Sequence, residues 1–334
     1  MMYGVGIIGC GGMGSGHAAR FASFPDAQVV ACADVVEERA QRLAAEHGAR
    51  AYGDGRRLLA DRRVDIAVIC TPTPFHAPLI EAAAKRGKHI FSEKPLARTL
   101  AEARRAIAAA EEAGVRLMVG HVLRFFPEYA LAKRLLDEGA VGRPAVARTA
   151  RCSGHPQPPA DWYGDYAMSG GVLVDMAIHD IDFLLWCFGP AERVYCKALT
   201  HRGPALTDYG LVTVRFRNRV IAHVEGSWAH TPGIFYTQLE IAGDRGLIEY
   251  DSDTAVPLRV WRKPKRGSRA PAVVVPESPL ADSPYAAEVR EFMDCVRTGR
   301  QPSVTPEDAY RALEVALAAE QSTLRGEVVA LPLA

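Results

Sequence analysis

The feature that most constrains this chain is a turn. The apolar run 5–8 leads into Gly9-Cys10-Gly11-Gly12-Met13-Gly14, and a helix-forming stretch follows at once. A strand that breaks into G-x-G-x-x-G and resumes as a helix suits an anion. The first glycine takes the tight turn, the second lets a diphosphate approach the backbone, and the third lets helix and strand pack closely. Asp34 ends the next apolar segment, twenty residues after Gly14. A carboxylate there accepts hydrogen bonds from a ribose diol and repels a 2′-phosphate, and Val35 and Val36 offer that phosphate no cation. Gly9, Gly11, Gly12, Met13, Gly14 and Asp34 are therefore expected to bind NAD in preference to NADP. The competing reading is a glycine-rich turn without a ligand, with Asp34 as a helix cap.

The surrounding pattern supports a doubly wound sheet. Short apolar runs at 5–8, 28–33, 66–70, 89–92 and 116–119 alternate with helical stretches such as 37–47 and 100–113, as expected when helices cover both faces of a parallel sheet. Thr99 with Glu102 reads as a capping box, and Gly114 as the stop of that helix. Beyond residue 123 the pattern changes. A helix over 127–138 precedes a strand over 145–151 and an apolar helix over 171–188. Strands follow over 210–216, 220–228, 236–242 and 247–251. Consecutive strands with short turns predict a large, mostly antiparallel open sheet, one face of which the helix could cover. Pro284 and Pro306 follow Ser283 and Thr305, so two helices close the chain. The expected organisation is an α/β Rossmann domain over 1–123 and an α+β substrate-binding and oligomerisation domain over 124–334. The final helices could pack back on the first domain. At 334 residues, two domains are also what length alone suggests.

Composition removes other classes of function. Forty Lys and Arg against 39 Asp and Glu give a formal charge of +1, with no basic excess for nucleic acid. No uncharged apolar run approaches the roughly 20 residues a membrane helix requires. Seven scattered cysteines, with no C-x-x-C pair, fit a reduced, cytoplasmic protein. The first strand is expected within a few residues of Met1, with no basic region followed by an apolar one before it, so a secretory signal is not expected.

Two further strand ends carry unusual chemistry. Thr71-Pro72-Thr73-Pro74-Phe75-His76 follows the run 66–70, and Glu93-Lys94-Pro95 follows 89–92. Ligands of open α/β sheets sit beyond the carboxyl ends of the strands, so Thr71, Pro72, His76, Glu93 and Lys94 are expected to border the nicotinamide. Lys94 would hold or deprotonate an alcohol, or else be a surface lysine paired with Glu93. In the apolar stretch from Gly171, Asp175 and His179 lie four apart and would share a helix face. A polar stripe on a buried helix needs partners. Either a polyhydroxylated substrate meets His179 as proton carrier and Asp175 as its orienting carboxylate, or the two form a structural pair. Asp and His can also ligate metal, but no third or fourth ligand has suitable local spacing, so no metal is expected.

The Gly9–Gly14 turn, Thr71-Pro72 with His76, Glu93-Lys94-Pro95, and Gly170-Gly171 with Asp175, His179-Asp180 and Asp182 together resemble the glucose–fructose oxidoreductase/inositol dehydrogenase (Gfo/Idh/MocA) family. The segment 120–127, Gly-His-Val-Leu-Arg-Phe-Phe-Pro, looks like that family's domain-crossing stretch, although His121 stands where relatives often carry Asn or an apolar residue. Residues 241–246 look like its late sheet turn. Tyr285, Glu288, Phe292 and Pro302 look like its C-terminal region. The resemblance spans nearly the whole chain. It implies an NAD-dependent dehydrogenase acting on a secondary alcohol of a sugar or polyol, with Lys94, Asp175 and His179 as the catalytic group and the substrate between the domains. It also implies a homodimer or homotetramer joined through the open sheet face. Arg124, His155, Trp162 and Tyr236 are further candidates for the substrate pocket. Two other functions fit the same residues: a glycosidase that uses a retained NAD for transient oxidation, and a non-catalytic sugar or NAD sensor.

Overall fold

The structure is a computed structural model and describes residues 2–156, 161–199, 208–231, 233–254, 258–262 and 283–333. The chain divides into two units: Met1–Val122 with Asp282–Tyr310, and Leu123–Ala281 with Arg311–Ala334.

In the first unit, six strands form one parallel sheet: β1 (Tyr3–Ile8), β2 (Ala27–Ala33), β3 (Arg50–Tyr52), β4 (Ile66–Ile69), β5 (His89–Ser92) and β6 (Leu117–Val119). Their order is β3-β2-β1-β4-β5-β6, so the winding reverses between β1 and β4. The central strands are apolar throughout because both faces are covered: Ile7, Ile66, Val68 and Phe91 are fully buried. The helix Glu37–His47 has the bounds its sequence predicts and stops at left-handed Gly48. The capping box at Thr99 and Glu102 forms with both reciprocal hydrogen bonds. The short strand β3 and the helix Gly55–Leu59, whose N-terminus the Asp54 side chain caps, are absent from the sequence reading, since each is too short to show a period. The helix Pro284–Thr298 belongs to this unit, where Phe292 meets Phe21 and Phe91 edge-on at ring distances of 6.3 and 5.6 Å.

The second unit holds an eight-stranded sheet. Its strands are β7 (Pro144–Ser153), β8 (Ala191–Leu199), β9 (Tyr209–Phe216), β10 (Ile221–Ser227), β11 (Phe235–Gly243), β12 (Gly246–Asp251), β13 (Leu258–Arg262) and β14 (Val329–Ala330). They lie in the order β13-β12-β11-β7-β10-β9-β8-β14. Every pairing is antiparallel except that of β7 with β10. Alternation separates the faces. Val212, Val214, Ala222, Val224, Leu239 and Ile241 are buried, whereas Leu211 is exposed and Thr213 and His223 bond across the other face at 3.1 Å. The apolar helix over 171–188 is in fact two segments, Gly171–Asp175 and Ile178–Phe188. Between them the Ala177 N–H reaches back five residues to the Val172 carbonyl, a wide turn that interrupts the regular ladder. Both segments lie on the buried face, close enough that a Cβ at Gly226 would sit 3.1 Å from that of Ala177.

A buried ion pair ties this helical layer to the sheet. Arg151 on β7 donates from Nε to Asp180 at 2.6 Å and from Nη2 at 3.4 Å, and Nη2 also reaches the Tyr129 hydroxyl at 3.5 Å. Asp180 is fully buried, and burial pushes its carboxyl pKa up against the opposing pull of Arg151. Removing one partner of such a pair strands a charge, at a cost of about 3–5 kcal/mol. Arg151→Met is therefore expected to lower the denaturant midpoint by an amount equivalent to that range. Arg151→Met with Asp180→Leu should recover much of the loss, and a single variant as stable as wild type would contradict the pairing.

Candidate active site

The carboxyl ends of β1, β2, β4 and β5 carry the residues the sequence singles out. Gly9 follows β1 with φ of +93°, and a Cβ there would lie 2.5 Å from the Cys70 carbonyl oxygen. A Cβ at Gly14 would lie 1.8 Å from the Gly9 carbonyl oxygen, so only glycine lets the helix Gly12–Ala22 start this close to β1. Gly11 and Gly12 differ. Both are exposed, with nothing within 4 Å of where a Cβ would be. The helix begins without a side-chain cap and has no acid in its first turn, leaving its first N–H groups to meet an anion. An open cradle of this kind fits the diphosphate of a dinucleotide. Met13 is 39% exposed at the same turn.

Asp34 follows β2 and reaches back to the cradle. Oδ2 accepts the Cys10 N–H and Oδ1 the Val36 N–H, both at 2.8 Å. These bonds fix the carboxylate and leave it further lone pairs for a ribose diol. The bond to Val36 is a local turn two residues on, and the N-cap of the helix Glu37–His47 is Val36, without a side-chain cap, so Asp34 is not the helix cap of the competing reading. Val35 is 93% exposed and supplies no cation for a 2′-phosphate.

After β4, the hydroxyls of Thr71 and Thr73 are buried with no hydrogen-bond partner among the described residues. Pro72 precedes the short turn Thr73–Phe75. His76 is buried, with Nδ1 2.7 Å from the Pro95 carbonyl and Nε2 2.7 Å from the Thr71 carbonyl, so its ring bridges the loops after β4 and β5. Burial pushes its pKa below the ordinary histidine value, opposed by those two carbonyls. Glu93 is not a surface partner for Lys94. It is buried, and its Oε1 lies 2.7 Å from Nε2 of His17, a residue the sequence reading passed over. Lys94 is half-buried, its N–H points to Glu93 Oε2 at 3.3 Å, and the Lys94–Pro95 peptide is cis. His121, just past β6, is fully buried.

In the second unit, Asp175 is buried at the end of one helical segment and His179 is half-buried in the first turn of the next. They do not share one continuous helix, which corrects the expected spacing argument. The wide turn at 172–177 shifts their relative direction from that of an unbroken i, i+4 pair. Arg124 is locked by Asp182, with Nε at 2.8 Å and Nη2 at 2.6 Å from its two oxygens, and its guanidinium lies over Trp186. His155 is buried, donates from Nε2 to Asp161 Oδ1 at 2.9 Å, and meets Trp228 edge-on. Trp162 stacks on Tyr163 at 3.9 Å. The structure does not bring Tyr236 together with Asp175 and His179. Its register partner is Cys152, whereas Thr237 pairs with Arg151, so Tyr236 points to the face opposite the helices. Its hydroxyl donates to Asp251 at 3.4 Å, and burial together with that carboxylate pushes its pKa up to about 12. Phe235, one residue earlier, has the other parity. It is 61% exposed and lies against the Arg151 guanidinium, on the side that carries the helices.

Comparison with known proteins agrees with this geometry. Residues 3–121 match an oxidoreductase family with an NAD-binding Rossmann fold, and residues 129–249 match the GFO/IDH/MocA C-terminal domain. The chain is 31% identical to the myo-inositol 2-dehydrogenase of Thermotoga maritima, over 95% of each chain. It is 32% identical to the scyllo-inositol 2-dehydrogenase (NAD(+)) of Bacillus subtilis, over 97% of this chain and 95% of that one. Among solved structures, levoglucosan dehydrogenase in complex with NADH and levoglucosan superposes with a TM-score of 0.90 at 26% identity, covering all of both chains. GenD2 from gentamicin A biosynthesis, in complex with NAD, gives 0.87 at 29% identity, covering 99% of this chain and 97% of that one. The chain belongs to the Gfo/Idh/MocA family of NAD-dependent oxidoreductases.

Proposed function

We propose that this protein oxidises a secondary alcohol of a cyclic polyol or sugar of the inositol class, with NAD⁺ as the hydride acceptor. The observation that carries this reading is the intact cradle of Gly9, Gly11, Gly12 and Gly14 with Asp34 held beside it, in a chain that also keeps Lys94, Asp175 and His179. The inositol dehydrogenases among its relatives support the substrate class. NAD, when bound, supplies the electrophilic nicotinamide carbon that takes the hydride.

The chain's own residues do the rest. Backbone N–H groups at the start of the helix Gly12–Ala22 hold the diphosphate, and Asp34 holds the adenosine ribose diol. Thr71, Pro72, His76 and Glu93 border the nicotinamide. His179 takes the hydroxyl proton with Lys94 assisting, and Asp175 orients the imidazole or the substrate. His155, Trp162 and Arg124 stay candidates for holding the remaining hydroxyls, Arg124 through its contact with Asp182. We place the protein in the cytoplasm, in keeping with seven free thiols, as a homodimer or homotetramer built on the open sheet face. Among the described residues no helix is long and apolar enough to cross a membrane. Sedimentation velocity tests the assembly, and a monomer would contradict it.

The cofactor assignment is tested on a panel of myo-inositol, scyllo-inositol and levoglucosan, read as NADH absorbance. NAD⁺ should be strongly preferred over NADP⁺. Asp34→Ala should narrow that gap while weakening NAD⁺ binding by about 1.5–3 kcal/mol, the usual worth of a hydrogen bond to a charged group. Equal kcat/KM for the two cofactors in the wild type would overturn the role of Asp34. For the chemistry, Lys94→Ala should lose about 10²–10⁴-fold in kcat, the usual contribution of acid–base assistance. Its NAD⁺ affinity, measured by calorimetry, should shift by less than about 1 kcal/mol, since uniform binding is untouched. His179→Ala should lower kcat and flatten its rise from acid toward mildly alkaline pH. Turnover within a few-fold of wild type in Lys94→Ala would remove it from the catalytic group.

A further inference from the structure

Glu93 borders the nicotinamide, but its buried partner His17 has no part in holding the dinucleotide or in moving a proton. His17 lies three residues beyond Gly14 on the helix that forms the cradle, and it is fully buried. Its ring stands edge-on to Phe91 at 4.9 Å and to Tyr285 at 6.5 Å, so its orientation is fixed. Nε2 lies 2.7 Å from Glu93 Oε1, while Nδ1 is buried without a partner among the described residues. A carboxylate oxygen accepts, so Nε2 is the nitrogen that donates to Glu93. That carboxylate is enclosed in turn. A Cβ at Gly120 would meet its Cδ and both oxygens at 3.4 Å, so the end of β6 is kept clear for it. Its second oxygen faces the Lys94 N–H at 3.3 Å.

A buried carboxylate beside apolar strands is costly unless hydrogen-bonded donors hold it in place. Burial pushes the Glu93 pKa up, but the His17 hydrogen bond, with the charges of His17, Lys94 and His76, outweighs it and holds the carboxyl below the ordinary value. The anion thus sits fixed under the backbone from which the Lys94 side chain departs. We propose that His17 is a positioning residue for the hydride-transfer step: by holding the Glu93 carboxylate against the Lys94 backbone, it sets where the Lys94 ammonium meets the substrate hydroxyl. The inference rests on the catalytic reading of Lys94. It adds a direct mechanical link, through one histidine, from the helix that holds the dinucleotide to the strand end that carries the reactive lysine.

The test is a double-mutant cycle with the panel substrate of highest kcat/KM, combined with calorimetric NAD⁺ binding. His17→Leu should lower kcat about 10–100-fold, the scale of loss that a small misplacement of a reacting group causes. Its NAD⁺ dissociation constant should stay within about threefold, since the cradle is intact. His17→Gln, whose amide can still donate to Oε1, should restore most of the turnover. In a Lys94→Ala background, His17→Leu should cost less than about twofold more, because its effect runs through Lys94. The proposal is overturned if His17→Leu turns over like wild type, if its loss lies in NAD⁺ affinity, if His17→Gln gives no rescue, or if the two losses multiply. Should His17→Leu not fold, His17→Asn, polar but too short to reach Oε1, must show the same kcat loss, and wild-type turnover would overturn the proposal. A silent Lys94→Ala would instead remove the catalytic reading of Lys94 itself. An impaired Lys94→Ala with multiplying losses would remove only the role of His17.

Discussion

The first unit depends on one close contact. Gly14 brings the helix Gly12–Ala22 to within a distance of β1 that any side chain would forbid, since a Cβ would fall 1.8 Å from the Gly9 carbonyl oxygen. Three features follow from that approach. The helix N-terminus stands at the point where the strand order reverses, which is where an open α/β sheet binds its ligand. His17 is carried to Glu93 at the end of β5. Phe21, one turn further on, meets Phe91 and Phe292 to close the apolar layer beneath. Anion cradle, buried charge and core packing are thus three consequences of two glycines.

The second unit answers a different constraint, which is how to seat polar residues on a helical layer over an apolar sheet face. Asp180 and Asp182 are both fully buried, and each is met by an arginine from a different element, Arg151 on β7 and Arg124 in the turn Val122–Phe125. Buried pairs of this sort add little net stability over apolar residues of similar volume, but each charge needs its partner in place. Here they fix the rotation of Ile178–Phe188 about its own axis, and with it the direction of His179. The wide turn at 172–177 then lets Asp175 leave the preceding segment independently.

Much of this was legible in the sequence, for identifiable reasons. The glycine turn, the capping box at Thr99 and the prolines at 284 and 306 are local signals whose meaning is set by backbone chemistry, and the structure forms the turn, the box and both helix starts. Three features were not legible. The helix break at Met176 has no proline or glycine to mark it, because it comes from a shift in hydrogen-bond partner. The sequence makes Tyr236 a pocket candidate, whereas pleat parity sends it to the opposite face, and parity becomes readable only once the β7–β11 register is known. From sequence, Glu93 either borders the nicotinamide or pairs with a surface Lys94, and neither alternative includes a buried partner. Its contact with His17 spans 76 residues, and only the fold joins the two. A histidine on the inner face of the helix after a glycine turn is the signal that could have suggested it.

The central claim is that hydride passes from a carbinol carbon of a polyol to NAD, and isotopic labelling tests it most directly. The panel substrate with the highest turnover, deuterated at the carbinol carbon, is incubated with NAD⁺ and the reduced cofactor is weighed by mass spectrometry. The account requires one deuterium on the nicotinamide ring, stoichiometric with the ketone formed, and a primary isotope effect that grows in Lys94→Ala as chemistry becomes more limiting. Unlabelled NADH, or consumption of a glycoside with an alcohol released and no net NADH, would contradict it.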